Sequence, residues 1–399
     1  MAAGERAEVR YFDYAATAPL CEEALAALRE HLVAGVPGLD LNANANSLHT
    51  PGRRAFSRME SARRATARAL GARRPDEIVF TGSATESDNA ALVGIARGAV
   101  EARRKAGRPV AKPRIVTSVI EHEAVLKPAR FLAEQGFDVA FLQPDRAGFV
   151  SAERLAEAVD GSTVLVSVMA ANSETGAVQP VAELAEVAHA AGALFHTDAV
   201  QALGKVPVDL QALGVDAASF SGHKIGAPKG VGALYLKART PFTPYLMGGG
   251  QELGRRSSTQ NVAGMDAFAA AAAAAVEMQP AERARLSKIR DGLYGRLAAH
   301  PHIRATVAAA GSEDYLPNIV HVLVEGMESE TLILRMDRLG FCVSGGSACS
   351  SSSLESSHVL RAMGVADRDA RGALRISMGR YTTQAEADSL AEALFSCIG

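Results

Sequence analysis

Seven short apolar runs punctuate the first two-thirds of the chain, at residues 78–80, 115–119, 138–142, 163–169, 193–197, 217–220 and 232–236. Each has the length of a strand, and several are separated by segments whose apolar positions recur at helical spacing, such as 124–134, 152–159 and 181–191. This alternation predicts an α/β fold with a mostly parallel, seven-stranded sheet covered by helices. The last two runs are too close for a helical crossover, so one of them is expected to pair antiparallel at an edge. From residue 264 the pattern changes. It predicts a long helix over 265–300 broken near Pro280, strands at 318–324, 341–343 and 375–378, and helices at 356–363 and 384–395. The expected organisation is a large α/β domain over 14–263, with a smaller α+β domain formed by 1–13 and 264–399.

Composition narrows the class without naming the chemistry. A chain of 399 residues with 48% hydrophobic content can bury a large core. Its net charge of −2 gives no reason to expect nucleic acid or an anionic membrane as a partner. The first ten residues are charged and lack an apolar centre, unlike a secretory signal. The alanine-rich stretch 267–278 is short and weakly apolar, so it reads as a packed helix and not a membrane span. Four cysteines, Cys21, Cys342, Cys349 and Cys397, show no Cys-x-x-Cys spacing. A disulfide framework or zinc site is therefore not expected, and a reducing cytoplasm is.

In open α/β sheets, ligands sit beyond the carboxyl ends of the strands. The residues with chemistry gather at those ends: Gly82-Ser83-Ala84-Thr85 after the first run, His122 after the second, Asn172-Ser173 after the fourth, Asp198 after the fifth and Lys224 after the sixth. A lysine 26 residues beyond an aspartate, each at a strand end, is what a pyridoxal-phosphate enzyme needs. The amine forms a Schiff base with the aldehyde, and the carboxylate keeps the pyridine nitrogen protonated. Small residues at 82–85 let backbone N–H groups approach a phosphate at a helix start, although Ser83 and Glu86 also read as an ordinary capping box. Ser221 and His223 flank the lysine and offer further donors. His122 is either a helix cap or a ring that stacks on the cofactor and moves protons. Gln201, near Asp198, is placed to reach the phenolic oxygen, and Arg375 is either a surface residue or the bidentate grip on an amino acid's carboxylate.

Residues 344–353, Ser-Gly-Gly-Ser-Ala-Cys followed by four serines, cannot build a core and predict a loop that exposes Cys349. An exposed cysteine is a liability unless its thiolate is used, the alternative being a flexible linker with an incidental cysteine; Cys21, Cys342 and Cys397 read as structural. A second loop, residues 248–259, is either a plain turn with solvated charges or a device that presents Thr259 and an arginine to a phosphate.

Together these residues resemble the cysteine desulfurases of the group I, housekeeping or nitrogen-fixation, type, in the class V aminotransferase group of fold-type I pyridoxal-phosphate enzymes. The resemblance runs from Tyr11-Phe12-Asp13-Tyr14-Ala15-Ala16-Thr17 to Arg375-Ile376-Ser377-Met378-Gly379-Arg380, with its most specific pieces at 221–235 and in the Cys349 loop. It implies that Lys224 carries the Schiff base, Asp198 pairs with the pyridine nitrogen, Gln201 contacts the phenolate and His122 stacks over the ring. Ala84, Thr85, Ser221 and His223 would hold the phosphate from one subunit and Thr259 from the other, in a homodimer. Arg375, with Asn44 nearby, would take the carboxylate of L-cysteine, and Cys349 would accept the sulfur and pass it to acceptor proteins. Two positions depart from the family. Asn172-Ser173-Glu174-Thr175-Gly176 stands where Asn-Asn-Glu-x-Gly is usual, so contact through Ser173 becomes shorter or water-mediated. Asn44-Ala45-Asn46-Ser47 replaces Asn-Pro-Ser-Ser. An aminotransferase or selenocysteine lyase on the same scaffold is the alternative enzyme; a transaminase has no use for a cysteine on a serine-rich loop.

Overall fold

The computed structural model of the chain describes residues 9–32, 41–346 and 357–398. A first short strand, β1 (Arg10–Tyr11), precedes seven that form the central sheet: β2 (Ile78–Thr81), β3 (Arg114–Ser118), β4 (Asp138–Leu142), β5 (Thr163–Ser167), β6 (Leu194–Asp198), β7 (Ala217–Ser221) and β8 (Gly232–Leu236). Their spatial order is β2-β8-β7-β6-β5-β3-β4. All seven apolar runs therefore lie in one sheet. β2, β5, β7 and β8 are buried at every position, because helices cover both faces and a doubly covered strand can be continuously apolar.

The antiparallel expectation holds in kind but not in place. β8 pairs antiparallel with β7, as the short connection demands, but it also pairs antiparallel with β2 and so lies inside the sheet; β2 is the edge. Since β2 is antiparallel to β8, it points the same way as β7. The carboxyl ends of β2, β3, β5, β6 and β7 thus share one side of the sheet.

Beyond it lie β9 (Ile303–Ala305), β10 (Ile319–Val324), β11 (Phe341–Cys342) and β12 (Ala373–Ser377). β10 is antiparallel to both β9 and β12. β1 pairs parallel with β11. Single bridges from Asp13 to Ser377 and from Ser344 to Arg375 stitch these two small sheets together. Phe12, Phe341, Leu374 and Ile376 meet in this second apolar core, so the N-terminal residues pack with the C-terminal part of the chain.

The helix Val262–Leu297 runs for 36 residues without the interruption expected near Pro280. Proline there removes one backbone hydrogen bond, but both halves of the helix are buried. Val262, Met265, Phe268 and Ala272 sit in the core of the large sheet, and Leu286, Ile289 and Leu293 sit in the second core. The alanine-rich stretch is accordingly a packed helix, and among the described residues no helix is long and apolar enough to cross a membrane. Cys21 and Cys397 are buried; Cys342, expected to be buried, is only half-buried. Cys349 lies outside the described residues.

Candidate active site

Backbone geometry at the sheet edge explains why the polar residues converge. β6 ends in Asp198, β7 ends in Ser221, and a short turn over Gly222–Lys224 follows. β3 is followed by His122, which caps the helix Glu123–Glu134: its Nδ1 accepts from the Ala124 N–H at 3.1 Å. The capping reading of this histidine is thus realised, and the same ring also lines the cavity described next. β2 leads into a helix beginning at Ala84, where Ser83 Oγ accepts from Glu86 N–H and Glu86 Oε2 accepts from Gly82 N–H at 2.8 Å. The first-turn N–H groups of Ala84 and Thr85 have no carbonyl behind them in the helix, which makes them available to an anion.

These elements enclose a cavity of about 230 Å³. Ala84, Thr85, His122, Ser173, Asp198, Gln201, Ser221, His223, Lys224 and Arg375 all line it. Residues up to about 290 positions apart in the chain thus meet at one sheet edge.

Lys224 Nζ donates to the carbonyls of Ala15 at 2.5 Å and Ala16 at 2.9 Å. Gln201 Nε2 donates to the same Ala15 carbonyl at 3.0 Å. The Tyr11–Thr17 segment therefore forms the wall that holds lysine and glutamine in place. Asp198 Oδ1 accepts from Val200 N–H at 3.0 Å. Burial raises the Asp198 carboxyl above its ordinary range, against the opposing charges of His122 and Lys224. His223 is pushed down to about 4, by burial first and then by the positive charges of Lys224, Lys229 and Lys205, so it stands neutral beside the cavity. Its Nδ1 lies 3.1 Å from Thr17 Oγ1.

Arg375 enters from the opposite side, on β12, and is 2% exposed. Its Nη1 donates to the Ser173 carbonyl at 2.9 Å and its Nη2 to Asp13 Oδ1 at 3.0 Å. Nε is buried with no hydrogen-bond partner among the described residues, which leaves it a donor still to be satisfied. The surface reading of Arg375 is overturned by this burial. Ser173 lines the cavity and contributes its backbone oxygen to the arginine.

Asn44, expected near the substrate carboxylate, and Thr259, expected at the phosphate site of the other subunit, are both exposed, and neither lines this cavity. Asn44 Oδ1 accepts from Asn46 N–H at 2.9 Å, and Asn46 Nδ2 donates to Gln260 Oε1 at 2.9 Å, so the two segments adjoin on the surface. Nor are the arginines of the glycine-rich loop solvated charges: Arg256 pairs with Glu86 at 2.7 Å, and Arg255 donates to the Asp76 carbonyl. Buried Arg63 clasps Glu252 with both terminal nitrogens, at 2.6 and 2.9 Å, and so anchors the loop against β2.

Several acids were not singled out from sequence. Half-buried Asp13 holds Arg375, as described. Asp88 lines the cavity and is pushed well above the carboxylate range by burial and by the charge of Asp198. Its signal was its position four residues after Ala84, one turn along the same helix face. Glu121, next to His122, is pushed up to about 8 by burial.

The donor set fits pyridoxal phosphate. One cavity holds an amine, the first-turn N–H groups of a helix and a neutral histidine next to the lysine in sequence. Asp198 is a buried carboxylate with no cation within ion-pair distance among the described residues, the environment a protonated ring nitrogen would complete.

Comparison with known proteins agrees. The family model described as Aminotransferase class-V matches residues 10–390. A cysteine desulfurase IscS of Dictyoglomus turgidum is 40% identical over 94% of this chain and 90% of its own length. A cysteine desulfurase NifS of Azotobacter vinelandii is 40% identical over 86% of this chain and 83% of its own. A solved structure described as a NifS-like protein superposes with a TM-score of 0.87 at 36% identity, covering 97% of this chain and 98% of that one. With its sheet order, the position of its cavity and these relatives in agreement, this chain belongs to the class V aminotransferase family, among its cysteine desulfurases.

Proposed function

We propose that this chain is a pyridoxal-phosphate-dependent L-cysteine desulfurase that yields L-alanine and a persulfide on Cys349. The observation that carries this reading is the single cavity into which Lys224, Asp198, His122, His223 and Arg375 all project. When bound, pyridoxal phosphate supplies a conjugated ring that takes up the electron pair left when the Cα proton is removed. In this reading Lys224 Nζ holds the cofactor covalently and, once displaced by substrate, takes the Cα proton. Asp198 holds a proton on the ring nitrogen; its burial keeps water from competing for that contact. Ala84, Thr85, Ser221 and His223 receive the phosphate, Gln201 the phenolic oxygen, and Arg375 the substrate carboxylate. His122 moves the proton of the substrate thiol. The Cys349 thiolate then forms a bond to the substrate sulfur as the Cβ–S bond breaks. The electron pair stays with the carbon fragment, which is protonated and leaves as L-alanine.

The exposed, mutually adjoining Asn44 and Thr259 segments support a homodimer in which Thr259 completes the partner's phosphate site. The same reading divides the chain into a large domain at 14–263 and a small one at 1–13 and 264–399, places the enzyme in the cytoplasm and gives its sulfur to acceptors for iron–sulfur clusters or for tRNA and cofactor thiolation. The direct test is incubation with L-cysteine, mass spectrometry of Cys349 and quantification of L-alanine. One persulfide per cysteine site with matching alanine is expected, and Cys349→Ser should keep the cofactor but lose both products. Full sulfide release by the Ser variant would sink the mechanism.

A further inference from the structure

Behind the reactive lysine lies a second cavity, of about 110 Å³, several times what one water requires. Most of its wall is apolar: Leu203, Ala271, Ala274, Met278, Leu286 and Met378. Two polar groups in this wall are incompletely matched. Asn318, 2% exposed, donates from Nδ2 to the Met378 carbonyl at 3.3 Å, but its Oδ1 is buried without a hydrogen-bond partner among the described residues. Lys205 Nζ donates to the Lys224 carbonyl at 2.9 Å. Among the described residues no carboxylate lies within ion-pair distance of it; burial, then the charge of Lys224, pushes the ammonium down to about 7. Of the other charges in the wall, Glu282 binds Arg285 at 2.8 Å, Arg380 binds Glu23 at 2.7 Å, and Lys224 Nζ donates to the Ala15 and Ala16 carbonyls.

A half-buried amine that donates only to a backbone carbonyl, at the edge of an apolar cavity, keeps its proton best where an anion is supplied beside it. We propose that this cavity is a binding site for a small organic monocarboxylate, with the carboxylate on Lys205 Nζ, the aliphatic tail among the alanine and methionine side chains, and Asn318 Oδ1 accepting any hydroxyl the ligand carries. It is distinct from the Arg375 site, since neither Arg375 nor Asp198 lines it, and Lys224 stands between the two as a wall of both. Because Lys205 also holds the carbonyl of Lys224, its occupancy is felt at the backbone of the reactive lysine. The ligand therefore acts as an effector of the enzyme and not as its substrate.

The test uses holoenzyme carrying Arg375→Ala, so that carboxylates bound at the Arg375 site do not contribute. Titration calorimetry with sodium butyrate should show saturable binding, about millimolar as befits so small a ligand, and a shift in the visible absorption of the bound cofactor. Butyramide, of the same shape but neutral, should not bind. Lys205→Met removes the cation and Ala274→Leu fills the cavity while keeping it; each should weaken butyrate binding about tenfold or more, with melting temperatures confirming that both variants fold. Absence of saturable butyrate binding in the Arg375→Ala background, or equal affinity in both cavity variants, would overturn the proposal.

Discussion

On one side of the active cavity, Asp198, Lys224 and His122 extend from the ends of parallel strands in a sheet covered on both faces. On the other, Arg375 extends from β12, held by Asp13 from the N-terminal segment and by the Ser173 carbonyl. The first side is built from residues whose positions follow directly from strand ends, and its electrostatics come from burial: Asp198 is raised and His223 lowered because both are removed from water. The second is built by ion pairing between chain segments 362 residues apart. Under the proposed function the difference becomes a division of labour: the sheet edge would set proton chemistry, and the opposite wall would set which anion is gripped.

Loss at the sheet edge should be the more severe. Lys224→Ala is expected to reduce alanine formation by roughly a thousandfold or more, since a positioned acid–base group contributes about 10²–10⁴; single-turnover alanine assays on the reconstituted variant check this. Asp198→Ala should cost about a hundredfold or more in kcat, with altered absorption of the bound cofactor, while cysteine affinity changes less.

The opposite wall should show the reverse split. Asp13→Ala releases one anchor of Arg375 and is expected to raise the KM for L-cysteine about tenfold with a smaller change in kcat. Asp13→Asn, which keeps an acceptor for Nη2, should recover most of it. A kcat loss equal to that of Asp198→Ala would erase the distinction between the two sides.

The smallest effect concerns stability and samples both sides at once. His196 in β6 and His321 in β10 are fully buried, and burial pushes each down to about 3. Both are neutral when folded, whereas in the unfolded chain they gain a proton below about 6.5. The unfolded state therefore binds more protons, and stability present above about pH 6.5 should be lost progressively as the pH falls towards 3. Melting temperatures measured from pH 7 to pH 4 should fall by several degrees, less steeply in His196→Asn and in His321→Asn.

Much of the first side was legible in the sequence, because an apolar run ending in a polar residue marks both a strand and the sheet edge where it stops. The insertion of β8 between β2 and β7 was not, since local patterning carries the direction of a short connection but not its place in the sheet. β9 was missed for a simple reason: it has three residues, two of them exposed. On the second side, Arg375 was visible as a residue type, but its burial depends on Asp13, and no local pattern announces a contact across nearly the whole chain. Asn44 and Thr259 show the complementary case, in which residues recognised from motif lie on the surface of the single chain.

The helix Val262–Leu297, roughly 54 Å long at 1.5 Å per residue, has one end in each apolar core. Neither core can melt without exposing half of a helix that the other still needs. Cooperativity is thereby transmitted through one backbone segment, and calorimetry of the protein should show one unfolding transition where two separately packed cores would ordinarily give two.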